Sequence, residues 1–151
     1  MSGFSIVDDF EPIRVLTQIR TATDAELATF LSRVRQMKLD QLAAGEKTTE
    51  VFTCVEMGAV SAGQRTMWEA WLEKHADLLA QTTLAIAVVT KSGRSDETVL
   101  PTQLAQLGVA VEVFADPDQA LCWAIEQVQD DDDMFLPPQL VMGGVAGFRC
   151  R

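Results

Sequence analysis

Apolar and polar positions change period several times along the chain. Ile13, Val15 and Leu16 form a short β-branched run that predicts a strand over residues 12–19, with a further strand at 4–7. From Thr23 the spacing becomes helical: Leu27, Phe30, Leu31, Val34 and then Met37 or Lys38 recur three and four apart on one face. Thr23 and Glu26 sign the start of this helix as a capping box, in which the hydroxyl accepts a free backbone N–H and the glutamate reaches back. Gly45 is its stop, and residues 47–50 read as a polar connection. Residues 51–57 carry largely apolar side chains on both alternating sets, which predicts a strand buried on both faces.

The pattern then repeats. Ser61 and Gln64 form a second capping box, and Trp68, Trp71, Leu72, His75 and Leu79 trace one helical stripe to about residue 80. Residues 84–89 are unbroken and apolar, as a central strand covered on both sides requires. After a loop at 91–97, Leu100, Leu104 and Leu107 suggest a short helix that accommodates Pro101 only in its first turn and stops at Gly108. A strand follows at 109–114. Asp116 and Pro117 then cap a helix whose face is Leu121, Ala124, Ile125 and Val128. This alternation predicts an α/β fold with a mainly parallel central sheet of four to five strands and about four helices. The domain is expected over 1–129. Residues 130–151 form an acidic hinge, four consecutive aspartates at 130–133, and an apolar extension rich in glycine and proline.

Composition narrows the function. With 151 residues and 48% hydrophobic side chains, the chain can bury the core of one domain. A formal charge of -10 argues against nucleic acid and anionic lipid as partners. No apolar run is long enough to cross a membrane, and the first residues lack the basic and apolar regions of a signal peptide. A soluble, cytoplasmic protein is expected. Cys54, Cys122 and Cys150 have no zinc-like spacing, so reduced thiols are expected, without a disulfide scaffold, a metal or a cofactor.

Few residues carry chemistry. Cys54 and the single histidine, His75, are the one pair from which a thiol enzyme can be assembled, but the apolar strand around Cys54 favours a protonated, shielded thiol. Trp68 and Trp71 fit the core stripe better than a surface anchor. Gly143, Gly144 and Gly147 lack the strand and helix that a phosphate cradle needs. Ser61 stands at a helix start, where an added phosphate meets free N–H groups and the positive end of the dipole, although a plain cap explains it equally.

Three stretches, VFTCVEMGAVSAGQRTMWEAWL, TLAIAVVTKS and VAVEVFADPDQALCWAI, give the chain its resemblance to STAS-like domains. The likeness is to the anti-sigma-factor antagonist type, in its small stand-alone bacterial form, and covers roughly residues 10–129. It implies a non-catalytic regulatory module that binds another protein. A serine at the start of the helix after the third strand is phosphorylated in that family, and Ser61 fills the place, in the local sequence Val60, Ser61, Ala62, Gly63. The implied partner surface comprises Gly58, Val60, Ser61, Gln64 and Arg65 with Lys91, Ser92 and Arg94 of the next loop. The C-terminal extension offers a route to a homodimer. A second class of function is the binding of a small apolar ligand or lipid, admitted where the helix spanning residues 27–42 parts from the sheet.

Overall fold

The structure, a computed structural model, describes residues 3–19, 21–54, 61–90 and 108–130, the side chains at 8–10 and 54 apart. The expected short helix before Gly108, residues Gly58, Val60, Lys91, Ser92 and Arg94, and the hinge and extension beyond 130 lie outside the described residues. Strands β1 (Phe4–Phe10) and β2 (Ile13–Gln18) form an antiparallel hairpin across Glu11 and Pro12, whose peptide bond is cis. Helix α1 (Asp24–Ala44), strand β3 (Thr48–Cys54), helices α2 (Ala62–Lys74) and α3 (Ala76–Thr82), strand β4 (Thr83–Val89), strand β5 (Ala110–Phe114) and helix α4 (Pro117–Gln129) follow.

The five strands form one sheet in the order β1-β2-β3-β4-β5, and β2 to β5 run parallel. This is the α/β class that the alternation of periods predicts. The sheet has a core on both faces. One face packs Leu16, Phe52, Ile86 and Val88 against Leu27, Phe30, Leu31 and Val34 of α1, Trp68 and Leu72 of α2, and Leu79 of α3. The other packs Ile13, Val51, Ala87 and Val89 against Ala120, Ala124, Ile125 and Val128 of α4. Ala120 and Ala124 face the sheet from α4, while aromatic pairs fill the helix layer opposite: Phe30 and Phe52 each meet Trp68 edge to face, at 6.1 and 5.6 Å.

The caps act as the sequence indicates. Both halves of the Thr23–Glu26 box form, and Gly45 ends α1 with φ 70, a left-handed backbone that glycine adopts without a Cβ clash.

Three sequence expectations need correction. Strand β3 begins at Thr48, so residues 48–50 are buried sheet rather than a polar connection; Thr48 Oγ1 and Glu50 Oε1 are met by Lys38 and Gln41 of α1, a partnership that periodicity does not register. The single stripe to residue 80 is two helices, because His75 leaves helical geometry at φ -109, ψ 20 and serves as the cap between them. Cys122 is disulfide-bonded rather than reduced, with a partner sulfur outside the described side chains. Cysteine spacing cannot reveal a bond that tertiary proximity creates. No described helix is long and apolar enough to cross a membrane.

Candidate functional site

Two places concentrate polar chemistry, and the sequence points to only one of them. The first is the edge where the parallel strands end and α2 begins. Ser61 is exposed there, and its Oγ accepts the Gln64 backbone N–H at 3.1 Å while its own N–H reaches Gln64 Oε1 at 3.5 Å. Gln64 is itself buried. Its Nε2 donates to the Ala22 carbonyl at 2.7 Å and to Asp24 Oδ1 at 3.1 Å, which ties the start of α2 to the start of α1. Gln64 is therefore committed to the fold, whereas Ser61 and Arg65 face solvent one turn apart. Of the partner surface drawn from the sequence, these three are the described residues.

Cys54 and His75 stand apart. Position 54 closes β3 at the edge where α2 starts, and His75 ends α2 after about 18 Å of helical rise. The His75 ring packs 5.0 Å from Trp71, and its pKa is lowered by partial burial and then by the positive charges of Arg35 and Lys74.

No family, curated protein or solved structure matches the chain.

The second place lies under the C-terminal half of α1. Lys38 and Glu50 form a salt bridge with almost no solvent access, and Lys38 also donates to Thr48 Oγ1 at 3.0 Å. The Thr48 hydroxyl donates in turn to Glu50 Oε1 at 2.6 Å, while Gln41 Nε2 donates to the Thr82 carbonyl at 3.2 Å. Arg14 extends the network, with one guanidinium nitrogen on Gln41 at 2.8 Å and the other on Glu11 at 2.9 Å. Burial pushes the Lys38 pKa below its ordinary value; Glu50 opposes that shift by charge and hydrogen bond, and Arg14 adds to it. Glu50 Oε2 is buried without a hydrogen-bond partner, as is Thr83 Oγ1.

Both residues line a cavity of about 50 Å³ between the helices and the sheet, whose other walls include Phe30, Val34, Phe52, Trp68 and Leu72. This cluster escaped the sequence reading. Its signal was present: the stripe Leu27, Leu31, Val34 continues through Lys38 and Gln41, so the buried face of α1 turns polar in its last turns. Lys38 rather than Met37 occupies that face. Among the described residues, no group of three or more His, Cys, Asp or Glu can hold a metal ion.

Proposed function

We infer that the protein is a non-catalytic regulatory module of STAS-like type that binds another protein at the edge where its parallel strands end. The observation that carries this reading is Ser61, an exposed helix cap on a rigidly anchored helix start. A phosphate on Ser61 would meet the free N–H groups and positive dipole end of α2, and Arg65 lies one turn along the same exposed face. Anchoring matters as much as exposure. The Gln64 side chain holds α2 against the loop before α1, so a change of charge at Ser61 alters the surface without releasing the helix.

The test compares Ser61→Asp with Ser61→Asn. Both side chains cap a helix as well as serine does, so they differ in charge and not in stability. Wild-type, Asp and Asn proteins are used as bait in lysate of the source cells, and captured proteins are quantified by mass spectrometry. A regulatory surface gives a partner retained by wild type and Asn and lost or gained with Asp. Identical recovery by all three sinks the proposed control at Ser61, and the absence of any specific partner sinks the interaction reading.

A further inference from the structure

Cys122 is disulfide-bonded, and the architecture singles out its partner. It stands two residues from both Ala120 and Ala124, which are fully buried against the sheet, so it lies about 160° around α4 from each at 3.6 residues per turn. Cys122 is therefore on the outer flank of the helix, partly buried at the margin of the core below. Position 54 is remote from that flank on two counts. It belongs to the sheet itself, and the unbroken register that pairs Leu16 with Phe52 and Gln18 with Cys54 places it, two residues beyond Phe52, on the face that α1, α2 and α3 cover. Helix α4 covers the other face. The chain contains one further cysteine, Cys150.

We propose that Cys122 bonds Cys150 and that the pair is a redox latch, which pins the far end of residues 131–151 to the outer flank of α4 when oxidised and releases it when reduced. Closing the bond takes two electrons and two protons from the two thiols and passes them to a small-molecule disulfide, which leaves as two thiols. A dithiol reverses it: one thiolate attacks a sulfur of the bond, the other sulfur leaves and is protonated, and the dithiol closes to its own disulfide. A partly buried sulfur on a helix flank is open to such attack, as a sulfur inside the core is not. The apolar side chains of the segment, Leu140, Val141, Val145 and Phe148 among them, are then tethered to α4 in one state only. The latch lies on the opposite face of the sheet from α2 and is independent of the Ser61 surface.

The test uses the full chain, purified without reductant, with free thiols blocked before digestion by trypsin. Cleavage after Arg94 and Arg149 puts Cys122 in peptide 95–149 and Cys150 in the dipeptide 150–151, whereas cleavage after Lys47 and Arg65 puts Cys54 in peptide 48–65. Mass spectrometry should find 95–149 joined to 150–151, and reduction should part them. Linkage of 95–149 to 48–65, a doubled intact mass from a bond between two chains, or three blocked thiols would each overturn the pairing. The latch is read with chymotrypsin, for which Leu140 and Phe148 are cleavage sites. Dithiothreitol should speed cleavage within 131–151 by about tenfold, because cleavage follows the population of the open form. Cys150→Ser should be cut at the fast rate with or without the dithiol, and Cys54→Ser should respond as wild type does. Equal cleavage of oxidised and reduced wild type overturns the latch even where the pairing holds.

Discussion

Lys38 on α1 and Glu50 on β3 pair inside the protein, with side chains only 3% and 6% exposed. Neither charge is fully satisfied by the other. Lys38 shares its protons with Thr48 and Glu50, and Glu50 keeps one oxygen without a donor. A buried pair of this kind is strongly destabilising to break and gives little net stability when intact, because desolvation offsets the attraction.

The pair should therefore behave non-additively. Lys38→Met strands a buried carboxylate and is expected to cost about 3–5 kcal/mol, whereas Lys38→Met/Glu50→Leu should cost much less than the single change. Denaturant unfolding of wild type, both single variants and the double variant measures the coupling. Additive losses would show that the two side chains act independently.

Alkaline pH should favour the wild type relative to the double variant. The folded state lowers the Lys38 pKa below 10.5, so in the window between that lowered value and 10.5 the unfolded chain binds more protons. Stability from this group thus rises as pH climbs through the window, and the cost of burying the charged form is fully present below it. The measurement is the difference in unfolding free energy between wild type and double variant from neutral pH to pH 10.5. A flat difference would mean that Lys38 titrates alike in both states.

Gln64 should matter more to stability than the residue it boxes with. Gln64→Leu deletes the bonds to the Ala22 carbonyl and Asp24 and leaves that buried carbonyl without this donor, an expected loss of about 1–3 kcal/mol. Ser61→Ala removes only a cap, at about 1 kcal/mol. Thermal melts rank the two, and a larger loss at Ser61 would contradict the anchoring of α2 through Gln64.

The bonded state of Cys122 can be counted. Three cysteines less the two consumed by one intramolecular bond leave one free thiol per chain in denaturant without reductant. Reduction should lower stability by about 2–4 kcal/mol. Three reactive thiols in freshly purified monomer would refute the bond.

Residue order alone determined most of the architecture. Apolar runs and helical spacings locate β2, α1, β4, β5 and α4 because each element buries one face or both, and burial writes itself into the sequence as a local pattern. Thr23, Ser61, Asp116 and Gly45 mark helix ends because the groups they satisfy are one to four residues away. Tertiary structure decided what depends on distant partners. Glu50 reads as a loop residue until Lys38, twelve positions earlier, is placed above it; Gln64 reads as a simple cap until Ala22 is found beneath its amide. The break at His75 carries no glycine or proline to announce it, and the stripe of Trp71 and Leu79 runs across it unchanged. A local pattern records which face is buried, but a buried charge is tolerated only where another element supplies its partner, and that depends on the whole chain's path.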